Sequence, residues 1–165
     1  MAKNNGNGRI LSDQSSMNSY IKSICDIMRR DKTKGAMQYI PELTWMMFLR
    51  ILDEKEQEEE LQCEAVGKSF TPSLKSPYRW KDWGSPNGKK RKEIQEKGKL
   101  GDFLEFVNND LIPNMKSFEK KPNATIKQKI ISQIFRKTEK TQLVSERNLL
   151  DALESVGLNL PTIVR

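Results

Sequence analysis

The sequence predicts an all-α protein, a compact bundle of about five helices with a long aromatic and basic loop between helices two and three. Three observations lead there. Apolar residues recur at three- and four-residue spacing in separate stretches, which puts them on one face of a helix. No stretch alternates apolar and polar residues as a half-buried strand does. Prolines and glycines gather most densely in residues 65–99, so a loop is expected there.

Residues 1–12 read as a flexible leader. A first helix starts near Asp13 or Ser16, with Met17, Tyr20, Ile21, Ile24, Ile27 and Met28 on its apolar face. It ends at Arg29 and Arg30, where cations meet the negative end of the helix dipole. Asp31 to Gly35 form a polar break. In the second helix Pro41 is read in the first turn, where its missing N–H is tolerated. Leu43, Trp45, Met46, Met47, Phe48, Leu49, Ile51 and Leu52 then make the helix apolar almost all round, so this half is expected at the centre of the core. From Asp53 to Glu60 it turns wholly polar. That acidic end has two readings: a solvated projection, or a docking face for a basic partner or a neighbouring subunit.

Residues 65–99 are read as mostly loop. Tyr78, Trp80 and Trp83, in SPYRWKDWGSP, are expected to pin it onto the helices, with stacking on opened bases as the alternative. A third helix covers 100–118. Its stripe is Leu100, Phe103, Leu104, Val107 and Leu111; Asp102 stands at the capping position, and Pro113 is expected to end or kink it. A fourth helix, from about Thr125 to Thr138, carries Ile126, Ile130, Ile131, Ile134 and Phe135 on one stripe. Ser145 caps a fifth, which stops at Gly157.

The chain of 165 residues suits one domain, and 36% hydrophobic against 31% charged residues imply a modest core. There is no histidine, which removes Ser/His and Cys/His catalytic pairs and the commonest general base. The two cysteines give neither a zinc set nor a disulfide framework, so a cytoplasmic location is expected; Cys25 reads as a small core residue. No run is long and apolar enough to span a membrane, and no phosphate-binding or dinucleotide glycine loop is present. No catalytic, cofactor-binding or metal-binding residue is therefore assigned.

Charge is concentrated. Between Lys75 and Lys99 nine lysines and arginines face three acids, an excess of six in a net charge of +7. A clustered excess points to phosphate contacts, with a solubilising loop as the alternative for residues 89–92. Lys89, Lys90, Arg91 and Lys92 are the first phosphate candidates, then Arg79 and Lys81. A second basic stretch, from Lys120 to Lys140, adds Lys127, Arg136 and Lys137 as a possible basic face opposite the isoleucine stripe.

The segment MQYIPELTWMMFLRILDEKEQEEE, followed in order by YRWKDW and GDFLEFVNNDLIPNMK, resembles the N-terminal helical domain of the modification (methyltransferase) subunit of type I restriction–modification systems, from about Ser16 to Val156. The resemblance implies a parent subunit that moves a methyl group from S-adenosylmethionine to adenine N6 in double-stranded DNA. It also implies partners: a specificity subunit, a second methyltransferase subunit and a restriction subunit. The family's Asn-Pro-Pro-aromatic motif is missing; Asn159-Leu160-Pro161-Thr162 lacks the second proline and the aromatic. The expected layout is thus a domain over 13–157 and, from 158 to 165, the start of a linker to a catalytic domain outside this sequence. The domain itself is expected to be non-catalytic and to contribute DNA backbone contacts and subunit assembly. The alternative is a purely protein-docking domain, using the acidic helix end and the aromatics; a free-standing transcription regulator is weaker, since no recognition helix stands out.

Overall fold

The structure, a computed structural model, describes residues 14–31 and 36–159; the leader, most of the 31–35 break and the tail beyond Asn159 lie outside them. Every regular element among the described residues is helical, as expected. Helix α1 (Gln14–Arg30) buries Tyr20, Ile24 and Met28 and packs on α8 (Glu146–Asn159). The Tyr20 hydroxyl donates to the Val156 carbonyl at 3.3 Å and ties the two together. Between them and the rest runs α2 (Ala36–Ala65), the longest element. It begins earlier than read, so Pro41 lies inside it rather than in its first turn. Tyr39, 4% exposed, packs ahead of the proline, and that burial outweighs the lost N–H.

Trp45, Met46 and Leu49 of α2 are buried, as the all-round apolar pattern requires. Trp45 lies 6.5 Å from Trp83 and 5.7 Å from Phe135 between ring centres, and Trp80 meets Trp83 edge-on at 5.2 Å. Trp80 and Trp83 thus pin the middle segment onto the helices. That segment is not mostly loop. It contains α3 (Trp80–Trp83) and α4 (Lys89–Lys97), so the basic run opens a helix. KKRKEIQEK consists of good helix formers with no breaker, and Arg91 and Ile94, three apart, face inward. Gly88 precedes α4; a Cβ there would stand 2.3 Å from the Asp82 carbonyl oxygen, so only glycine lets α4 start this close to α3.

Helix α5 (Asp102–Phe106) continues through a π-helical turn, Val107–Leu111, into α6 (Ile112–Ser117) and a 3₁₀ turn, Phe118–Lys120. Pro113 does not end this rod. The wide π turn ahead of it restarts the α-helix and leaves the proline in a first turn, where it needs no N–H bond. Leu100 falls outside the stripe, 94% exposed, because the chain turns at Gly101, whose φ of 97° is left-handed. Thr125 and Gln128 form a capping box on α7 (Ile126–Phe135). Ile131 and Phe135 are buried, but Ile126 and Ile130 are 78% and 42% exposed, so only part of the isoleucine stripe is covered. Finally, α8 does not stop at Gly157; it runs on to Asn159, with Gly157 beside the Trp80 ring.

Candidate nucleic-acid interface

The fold divides the sequence's cations into those bound within the chain and those left outward. Arg79 belongs to the first group. It is 5% exposed, with Nε 3.3 Å from Asp53 and one terminal nitrogen 3.4 Å from Glu60. Asp53 also accepts from the Lys81 amide at 3.1 Å and from Gln57 at 2.8 Å. Burial pushes the Asp53 carboxyl up, against the pull of Arg79. Arg91 is 4% exposed, with one terminal nitrogen 3.5 Å from the Trp83 carbonyl oxygen and its guanidinium 5.0 Å over the Phe103 ring. Both arginines are thus turned inward and largely covered, although the sequence ranks them with their exposed neighbours. Lys127 lies 2.8 Å from Glu59 and 3.7 Å from Glu56, and Arg136 lies 3.3 Å from Glu119 in an exposed pair.

The acidic end of α2 is solvated at Lys55, Gln57 and Glu59, as one sequence reading expects, but part of it also holds the chain together. Glu56 is 2% exposed and accepts from the Ser73 amide, at 3.1 Å, and from the Ser73 hydroxyl. Glu59 holds Lys127 and Glu60 holds Arg79. The run docks, but onto this chain's own α7 and 73–79 segment. The docking alternative also loses its aromatics, since Trp80 and Trp83 are 3% and 0% exposed; Tyr78 is half-buried, its hydroxyl donating to Asp110 at 2.7 Å.

What remains outward and unpaired in the two basic stretches is a set of lysines. Lys81, Lys89, Lys92 and Lys137 are exposed and make no ion pair among the described residues. Lys90 is partly engaged, 5.3 Å over the Phe106 ring and 3.9 Å from Glu93. Lys81, Lys89 and Lys90 line a hollow of about 630 Å³ where α3 gives way to α4, with Asp82 and Glu93 on the same walls. The first turn of α4 holds no acid and no side-chain cap, so its free amides add positive potential there. Lys137 lines a second hollow, of about 690 Å³, with Arg136 and Lys140.

Three carboxylates that sequence reasoning left unassigned position these faces. Asp31, 4% exposed, accepts from the Val144 and Ser145 amides at 2.6 and 2.8 Å and from Asn148 at 3.0 Å. Glu42, 2% exposed, accepts from the Thr141 hydroxyl at 2.7 Å and the Gln142 amide at 2.9 Å. Burial raises its pKa, the hydrogen bonds notwithstanding. Glu146 accepts from the Phe103 and Leu104 amides, both at 3.1 Å, capping α5 from another helix. Asp102 does not cap α5 by itself; it accepts from the Lys99 amide at 2.7 Å.

A family model described as the HsdM N-terminal domain matches residues 17–156. The chain belongs to that family. The HsdM N-terminal domain here is 38% identical over 104 residues to the methylase subunit of the type I restriction enzyme EcoEI of Escherichia coli, a stretch covering 62% of this chain and 19% of that protein. Among solved structures, it resembles a modification subunit assigned to a type I restriction enzyme of Vibrio vulnificus YJ016, with a TM-score of 0.73 and 26% identity over 93% of this chain and 32% of the other. A second chain, from work on complex assembly and conformational transition of the type I restriction–modification system, matches with a TM-score of 0.64 and 30% identity over 89% of this chain and 26% of its own. The sequence thus spans a third or less of each of these relatives.

Proposed function

We propose that this domain is the non-catalytic N-terminal part of an adenine-N6 methyltransferase subunit, and that it holds the phosphate backbone of double-stranded DNA while helping to assemble the complex. The observation that carries the reading is the set of exposed, unpaired lysines, Lys81, Lys89 and Lys92, around the uncapped start of α4, with Lys90 beside them and Lys137 on a second face. Lysine ammoniums neutralise phosphates as point charges and release counterions. A phosphate there also meets the positive end of the α4 dipole. The complex would join this subunit to a specificity subunit, a second methyltransferase subunit and a restriction subunit. Removing an adenine from the stack and methylating it would fall to a catalytic part of the longer subunit.

We assign no S-adenosylmethionine site to this domain. The hollows of about 690 and 630 Å³ carry lysines and an arginine beside their acids and no aromatic wall for an adenine ring, which supports that reading. The cofactor would be bound by the catalytic part.

The test is salt dependence in the full complex. Each phosphate contact contributes about 0.9 to the slope of log affinity against log salt. Changing Lys81, Lys89 and Lys92 to Gln should flatten that slope by roughly 2.7, close to a fortyfold difference between about 50 and 200 mM salt. Unchanged affinity and slope would remove DNA from this domain's role.

A further inference from the structure

Arg91 is an exception among the buried charged groups. Asp53 and Arg79 face each other, Glu56 has Ser73 and Lys127, Glu42 has Thr141 and Gln142, and Asp31 has three donors. Arg91 touches no carboxylate, and its Nε has no acceptor. Burial pulls its pKa down, while the charges of Glu154 and Glu146 pull it back up. Glu146 is already occupied by two amides of α5. A buried cation left this way is costly; Arg79 also leaves one terminal nitrogen without a partner, but it touches two carboxylates, and Arg91 touches none.

Arg91 opens on a hollow of about 260 Å³ between α4, the 98–100 turn, α5 and the start of α8. Lys99 adds a second cation, Phe103 and Leu150 form apolar walls, Glu146 lines the same hollow with its carboxylate turned to the α5 amides, and Leu100 stands at the edge, 94% exposed. A lone exposed leucine is ordinary. A leucine beside an apolar hollow with an unmatched guanidinium in its wall makes a receptor of mixed character. The volume is below the roughly 300 Å³ at which small-molecule pockets begin, so it takes one or two side chains and no nucleotide.

We propose that this hollow receives an acidic side chain flanked by leucine-like residues, carried on a segment of a partner protein. The carboxylate would pair with Arg91 and Lys99, and its apolar neighbours would cover Leu100 and Leu150. DNA offers phosphates but no apolar flank, so charge and apolarity together favour a protein segment. The site shares no residue with the lysine-lined hollow, so either reading can fail alone.

Nuclear magnetic resonance of the full chain tests this. The probes are an acetylated, amidated Leu-Glu-Leu peptide and its Leu-Gln-Leu counterpart, followed at the backbone amides of Lys99, Leu100 and Phe103 and at the Arg91 Nε–H. Saturable shifts with the glutamate peptide are expected, about tenfold weaker with the glutamine peptide. Arg91→Met should abolish them, and so should Leu100→Asp, which sits on the surface and preserves folding whatever the arginine variant does. Equal response to both peptides, or no saturable response, overturns the proposal. So does the appearance of the same shifts with a short DNA duplex or on raising the protein concentration, since the occupant is then nucleic acid or a second copy.

Discussion

Replacing Asp31 by alanine removes one carboxylate and strands at least three donors. Its oxygens accept from the amides of Val144 and Ser145 and from the side chain of Asn148, at 2.6, 2.8 and 3.0 Å. Hydrogen bonds to a charged acceptor contribute about 1.5–3 kcal/mol each, and simple addition would give roughly 5–9 kcal/mol. Water reduces this, because Val144 is 74% exposed and its amide can be rehydrated once the acid is gone. The loss should settle near 3–5 kcal/mol, the range for breaking a buried charged contact. Against a total stability of about 5–15 kcal/mol that is a large share. The assay is urea denaturation followed by circular dichroism, with the midpoint falling and the slope unchanged. Asp31→Asn should recover only part of the loss, since its amide nitrogen puts a donor where one of two backbone donors needs an acceptor. A midpoint shift worth under about 1 kcal/mol for the alanine variant would show that the 141–148 segment does not depend on this clamp.

Trp83→Ala should cost about 3–5 kcal/mol in the same assay, because the ring is fully buried between Trp45 and Trp80 and its N–H bonds the Tyr78 carbonyl at 3.0 Å; a loss below about 2 kcal/mol would contradict the aromatic pin. Glu42→Gln tests the buried acid through pH. The folded pKa is raised above the ordinary 4.5, so the native state holds its proton longer than the unfolded chain and loses stability as pH rises from about that value. The variant lacks this titration, so its stability relative to the wild type should grow as pH increases through that window; a difference independent of pH would refute the assignment. Lys127→Ala should change stability by less than about 1 kcal/mol, its side chain being 41% exposed, and should leave the DNA salt slope as it was because its charge is matched by Glu59 and Glu56.

The parts of the fold legible in the sequence are those governed by local periodicity. Trp45, Met46 and Leu49 announce a buried helix because no polar residue interrupts that face, and Thr125 with Gln128 announces a helix start because a capping box needs only four residues. The carboxylate clamps are illegible for the opposite reason. Asp31 and Val144 are 113 positions apart, and nothing near either residue marks the other. Helix α4 was hidden by its charge: four consecutive cations resemble a solvated loop until Arg91 and Ile94 are seen to share an inner face. The same blindness affected the site. Composition locates the basic stretch but does not distinguish Arg91, with a wall to face, from Lys92, which faces water.

That distinction bears on what kind of contact the domain can make. In the two basic stretches all three arginines are engaged within the chain: Arg79 with Asp53 and Glu60, Arg91 with Trp83 and Phe103, and Arg136 with Glu119. The exposed cations of these stretches that make no ion pair, Lys81, Lys89, Lys92 and Lys137 among them, are lysines. Arginine reads guanine through a rigid two-pronged fork, whereas lysine is a mobile point charge suited to phosphates. A surface sorted this way can hold a duplex in register while contributing little to the choice of sequence. If Lys89→Arg and Lys92→Arg variants of the full complex bind cognate and mismatched duplexes with the same ratio as the wild type, the lysines act on the backbone alone. A changed ratio would mean that these positions face base edges, and the division of labour argued from the engaged arginines would fall.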